Sequence, residues 1–223
     1  MDGLIPRNAA ASVKPPQPRG EEIRPLSRDQ VRTLLDAVSG ERLEALYVVA
    51  VTAGLRRGEL QGLQWDDVDL EAGTLQVRRT LSEPKGGYVF EAPKSGKGRN
   101  IRLTQRAIAA LKEHRKRQLE ERLRCPQWQD YGLVFPSTVG TPLLGGNLNR
   151  VFKATLRRAG LPEIRFHDLR HTCATLLLRQ GVNPKFVQEL LGHADISLTL
   201  NTYSHVLPDM GDAAATAMDA ALG

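Results

Sequence analysis

Residues 43–51, LEALYVVAV, carry one charge and contain neither glycine nor proline. The helix this run would form is apolar on most of its faces, and such a helix must be enclosed by other elements instead of lying on a surface. The pattern predicts a central helix over 42–52, and the remaining chain has to supply what surrounds it. With 223 residues, 41% hydrophobic and 25% charged, the chain is long enough to do so in one or two domains.

The surrounding elements read as follows. Ser27 is placed to cap a helix, with Asp29 and Gln30 in the first turn and Val31, Leu34, Leu35 and Val38 at helical spacing. In AGLRRGELQGLQW, glycines at 54, 58 and 62 frame a short helix carrying Arg56, Arg57 and Glu59. Three β-like runs, TLQVRRT, GYVFEA and NIRLT, are joined by turn-rich SEPKGG and PKSGKGR, the pattern of a small antiparallel meander. Gln105–Arg124 is a long charged helix with a narrow stripe of Ile108, Leu111, Leu119 and Leu123, most simply a solvated surface helix. GLVFPS at 132–137 suggests a short buried strand, and 147–159 a basic helix. The last third is helical: Asp168–Arg179, Pro184–Leu191 with proline in its first turn, and 196–204. The expected class is mixed α+β, mainly α-helical with a small three-stranded antiparallel sheet.

Thirty-one Lys and Arg against 25 Asp and Glu leave a charge of +6, and the pI is about 9.6. This excess suggests a polyanionic partner, although basic residues also keep surfaces soluble. Cys125 and Cys173 lie far apart without metal-ligand spacing, so neither a disulfide framework nor a metal site is implied, and a reducing cytoplasm fits. No apolar run approaches the ~18 residues of a membrane span, and MDGLIPRNAA lacks the apolar core of a signal peptide. Residues 6–25 hold five prolines with scattered charge and read as an extended linker.

Four clusters have chemical potential, each weak alone. Arg56 and Glu59 are spaced so that a carboxylate can steady a guanidinium, an arrangement also common in surface ion pairs. His167 and Arg170 in FHDLRHT share that spacing beside an apolar stripe of Leu169, Cys173, Leu176 and Leu177, which places them next to the core, facing a cleft or solvent. His193 follows Gly192, a residue that lets a helix end sharply, and Tyr203 stands ten residues later. Lys94 and Lys97 occupy a hairpin turn. A tyrosine hydroxyl with a pKa of about 10 is a poor nucleophile unaided.

The order Arg, Lys, His-x-x-Arg, His, Tyr, set in TAGLRRGELQGLQWDDVD, HDLRHTCATLLLRQG and VQELLGHADISLTLNTYSHV, resembles the tyrosine recombinase family of phage integrases and Xer-type enzymes over residues 24 to 210. The resemblance implies attack by Tyr203 on a DNA phosphodiester, giving a 3′-phosphotyrosyl link without metal or cofactor. Arg56 and Arg170 would bind the phosphate, Glu59 would orient Arg56, His167 would act as acid/base, His193 would donate to a phosphate oxygen, and Lys94, with Lys97 as the other choice, would protonate the leaving oxygen. It implies double-stranded DNA and further protomers in a synaptic tetramer as partners, together with accessory bending or directionality factors. Residues 1–25 are then expected to be a linker and remnant of an N-terminal core-binding domain, 26–207 the catalytic domain, and 208–223 a tail docking on a neighbouring protomer. A type IB topoisomerase, a non-catalytic DNA-binding module on the same scaffold and a helical interaction protein are the alternatives.

Overall fold

The computed structural model describes residues 23–85, 87–93, 98–204, 216 and 218–222. The helix α1 (Arg28–Ala37) begins at Ser27 with a reciprocal cap: the Gln30 backbone N–H donates to Ser27 Oγ at 3.2 Å and the Ser27 N–H to Gln30 Oε1 at 2.8 Å. Next comes α2 (Glu44–Ala53), in which Ala45 to Val51 are all buried, the enclosure demanded by its apolar faces. Its neighbours are α4 (Gln105–Arg124) and α6 (Asp168–Arg179). Tyr47 of α2 meets Phe152 of α5 (Gly145–Arg158) at 5.9 Å between ring centroids, and Phe152 meets Phe166 edge-on at 5.3 Å.

The short α3 (Arg57–Gln61) leads into a 3₁₀ turn, Trp65–Asp67, and the β region. Here the chain departs from a meander. One sheet holds β1 (Val68–Asp69), β2 (Thr74–Val77) and β5 (Arg99–Arg102) in the order β1-β2-β5, and a separate hairpin pairs β3 (Thr80–Ser82) with β4 (Val89–Glu91). All pairings are antiparallel, with Leu75 opposite Ile101 and Leu81 opposite Phe90. The TLQVRRT run is divided because its two arginines turn to the buried Asp67 carboxylate, Arg79 Nη1 at 2.8 Å and Arg78 Nε at 3.7 Å.

Two further expectations change. In α4 Leu111 is buried, but Leu119 is 53% and Leu123 87% exposed, and the inward face continues through His114 and Gln118. These two bind the carbonyls of the 132–137 segment, His114 Nε2 to Val134 at 2.6 Å and Gln118 Nε2 to Leu133 at 2.9 Å. The apolar residues 133–136 of that segment are buried, yet side chains and isolated bridges satisfy the backbone, so the segment forms no strand.

The C-terminal part comprises α6, α7 (Pro184–Leu191) and α8 (Ile196–Tyr203). Asn183 caps α7 through Lys185 N–H at 2.8 Å, and Gly192 ends it in the left-handed region at φ 65°. Beside the main core, Ala174, Leu178, Val187, Leu191 and Tyr203 form a second, smaller buried cluster. Among the described residues no helix is long and apolar enough to cross a membrane.

Candidate functional site

Arg56 sits at the N-cap of α3 with extended backbone (φ −68°, ψ 153°), one residue before the helix that the sequence placed it on. Glu59, three residues on, accepts the Arg56 backbone N–H at 2.9 Å and Arg56 Nη1 at 2.8 Å. The same carboxylate is forked by Arg99 of β5, Nη1 to Oε1 at 3.0 Å and Nη2 to Oε2 at 2.7 Å. Burial alone would push the Glu59 carboxyl up, but the Arg99 bonds and charge, joined by the Arg56 donors, outweigh it and hold it at about 2. Arg56 keeps a partly exposed guanidinium, while Arg57 is exposed and lies against Gly145.

Arg170 is 3% exposed and thus inside the core, where the sequence had placed it alongside. Its Nη1 donates to the Gly54 carbonyl at 2.8 Å and its Nη2 to the Leu191 carbonyl at 2.7 Å. Burial, and then the charge of Arg56, lowers this guanidinium to about 10, so it remains charged at neutral pH. Gly54 allows the approach: at φ 60° it ends α2, and a Cβ there would stand 2.7 Å from Leu191 Cδ2.

Three arginines therefore hold three successive carbonyls at the end of α7: Arg99 Nε on Leu190 at 2.8 Å, Arg170 on Leu191 at 2.7 Å, and Arg56 Nη2 on Gly192 at 3.2 Å. Cations complement the negative end of a helix and its unpaired carbonyls, and this cluster fixes where the following residue, His193, stands. His193 Nδ1 shares a hydrogen bond of 2.8 Å with the buried Thr199 hydroxyl. Burial, then Arg170 and Arg56, depress His193 to about 4.

Tyr203 ends α8, whose start is capped by Asp195 on the Ser197 N–H at 2.8 Å. Its side chain is 1% exposed within the smaller cluster, and its hydroxyl lies 2.7 Å from Nδ1 of His171. Burial raises the phenol well above its ordinary value, with Arg170 opposing. His171 is depressed to about 4 by burial and by the neighbouring His167, whose ring stands edge-on at 5.2 Å. His167 stands just before α6, open to solvent in part; withdrawal of the rest of it from water, and then Arg170, lower its pKa.

A cleft of about 660 Å³ opens over Arg56, Arg57, Arg165 and His167, with Glu59 and Glu91 also in its lining, so three arginines face two carboxylates. The structure thus gathers Arg56, Glu59, Arg170, His193 and, through His171, His167 and Tyr203. Lys94 and Lys97 lie outside the described residues, as does the 208–215 part of the tail; Met218 and Leu222, further along it, are exposed. Sequence reasoning missed Arg99, His171 and Thr199. Arg99 follows the lysine-bearing turn, and His171 follows Arg170 directly, but neither position announces its partner. Among the described residues, no group of three or more His, Cys, Asp and Glu is arranged to hold a metal ion.

The sequence profile of the Phage integrase family matches residues 24–210. The chain belongs to the phage integrase family. It is 37% identical to a XerC-like tyrosine recombinase of Caldanaerobacter subterraneus over 93% of its length, and 31% identical to the prophage integrase IntR of Escherichia coli over 95%. It spans 58% and 54% of those integrase relatives, little more than half. Among solved structures, the Tn1549 transposon integrase in complex with circular intermediate DNA superposes with a TM-score of 0.74 at 26% identity, covering 90% of this chain and 68% of that one. The phage integrase fold is therefore a mostly helical body carrying small antiparallel sheets, and two of its motif blocks border the cleft, through Arg56–Glu59 and through His167.

Proposed function

We propose that this chain is the catalytic part of a site-specific DNA recombinase, with residues 26–207 as the catalytic unit. Tyr203 attacks a DNA phosphodiester; a tyrosyl–phosphorus bond forms at the 3′ side, the bond to the 5′-oxygen breaks, and that oxygen takes up a proton. The reverse step rejoins a strand, because the phosphodiester bond energy is retained in the covalent intermediate. Arg56 and Arg170 neutralise the charge that grows on the phosphate oxygens, His193 donates to one of them, and Lys94 supplies the proton to the leaving oxygen. Glu59 steadies Arg56. A guanidinium has five N–H donors, and the carbonyls, with Glu59 in the case of Arg56, take only part of them, so each arginine keeps donors to offer a phosphate oxygen.

The observation that carries this reading is the clamp of Arg56, Arg99 and Arg170 on the last carbonyls of α7, in the element that leads through His193 to Tyr203. It supplies always-charged, preorganised donors beside a tyrosine, which phosphoryl transfer through a phenol needs. Double-stranded DNA is the substrate. Other protomers are the partners, and the 208–223 tail, with Met218 and Leu222 exposed, reaches one of them.

The test uses a pool of nicked suicide duplexes with randomised core sequence, from which covalent protein–DNA adducts are recovered and the attached residue mapped. Attachment at Tyr203, lost in Tyr203→Phe, is expected. An adduct that survives Tyr203→Phe rejects the assignment.

A further inference from the structure

We infer that His171 is the group that takes the phenol proton from Tyr203 as it attacks. The assignment rests on Tyr203 being the nucleophile, and departs from the family resemblance, which implied acid/base work for His167. The geometry is direct: 2.7 Å separate Nδ1 and the phenol oxygen, with ring centroids 5.8 Å apart. Of its other neighbours, Ala174, Leu178, Val187 and Leu191 are apolar, and the Cys173 thiol, pushed up to about 12 by burial, stays protonated. An imidazole with its proton on Nε2 presents a lone pair at Nδ1, and burial together with His167 keeps this ring neutral at physiological pH. Position follows from the fold, because His171 adjoins Arg170 on α6, and that arginine is anchored at both Gly54 and Leu191.

In the step itself the phenol O–H breaks, the proton passes to Nδ1, the phenol oxygen bonds to phosphorus, and the 5′-oxygen leaves with a proton from Lys94. Rejoining returns each proton along the same path. On these pKa shifts alone the transfer is uphill, since the phenol is raised and the imidazole depressed. A bound phosphodiester reverses part of that, because its negative charge beside Arg170, His167 and His171 favours the imidazolium. His167, which lines the cleft, is left to face the phosphate.

The test is single-turnover cleavage of a suicide duplex recovered as above. His171→Asn keeps a hydrogen-bonding group near the Nδ1 position but cannot take the proton, and cleavage is expected to slow by ~10²- to 10⁴-fold with DNA affinity and melting temperature as in the wild type. A duplex with sulfur in place of the bridging 5′-oxygen, whose leaving group needs no proton, leaves the variant slow. A rate within about twofold of wild type overturns the assignment, since loss of a general base costs far more. Faster cleavage overturns it too, by making His171 a latch that restrains Tyr203. Restoration by the sulfur duplex overturns it by moving His171 to the leaving group. If His171→Asn melts early, His171→Gln is read in the same way. A wild-type chain that forms no adduct rejects the recombinase reading itself, and the assignment with it.

Discussion

Arg170 shows how one residue can be both scaffold and reagent. Its two anchoring bonds, to Gly54 and Leu191, join the end of α2 to the end of α7 across 116 and 21 positions of sequence. A lysine keeps the charge but concentrates it at one centre on a flexible stem, so it cannot hold both carbonyls in a planar fork. Arg170→Lys should lower stability by about 2–3 kcal/mol, the cost of leaving buried groups unpaired, and slow cleavage by ~10²- to 10³-fold. Denaturant unfolding and single-turnover cleavage read the two effects separately; a stable variant cleaving at the wild-type rate would show that the fork is not needed. Residues of this kind were half legible in the sequence. The Arg56–Glu59 spacing announced a local pair, and the pair exists at 2.8 Å. The partners Arg99 and His171 did not announce themselves, because they lie 40 and 32 positions from the groups they hold, and backbone carbonyl acceptors leave no signature in side-chain pattern.

At the scale of elements, strong local signals set the helices well. The span Gln105–Arg124, the Asp168–Arg179 helix and the Pro184 start of α7 are where cap and periodicity put them. Strand pairing was not legible, since β2 skips the nearest β-like run to pair with β5, and the decision is made by the buried Asp67 drawing Arg78 and Arg79 out of line. One glycine ties these levels together. Gly58 lets α3 lie against β3, for a Cβ there would meet the Thr80 hydroxyl and stand 2.7 Å from the Leu81 carbonyl oxygen. The backbone of a paired strand cannot yield as a side-chain end can. Gly58→Ala should therefore separate α3 from the hairpin, costing about 1–3 kcal/mol as overpacking does, and disturb the Arg56 placement. A lower denaturation midpoint with weakened cleavage is the expected result, and an unchanged midpoint would mean that α3 can shift freely.

Across the whole molecule, the buried ionisable groups of the site couple its integrity to pH. Glu59 titrates at about 2 against 4.5 for an ordinary glutamate, and His171 and His193 at about 4 against 6.5. In each case the unfolded chain binds protons more readily than the folded one, so stability rises with pH through the range where they differ. The histidine share is fully present above about pH 6.5 and is lost as pH falls through 4. The Glu59 share is present above about pH 4.5 and is lost on the way to 2. A shift from 4.5 to about 2 in a carboxyl that is 1% exposed corresponds to ~3 kcal/mol, a large part of the ~5–15 kcal/mol that holds a domain folded. Acid should thus release the arginine clamp and the smaller cluster around Tyr203, the part of the fold with the fewest buried apolar groups, before the main core. Urea unfolding at pH 7, 5 and 3 should give steadily falling midpoints. In Glu59→Gln the drop between pH 5 and 3 should shrink while the drop between 7 and 5, owed to the histidines, stays. Equal losses between pH 5 and 3 in both proteins would mean that the buried Glu59 pair does not set the acid limit.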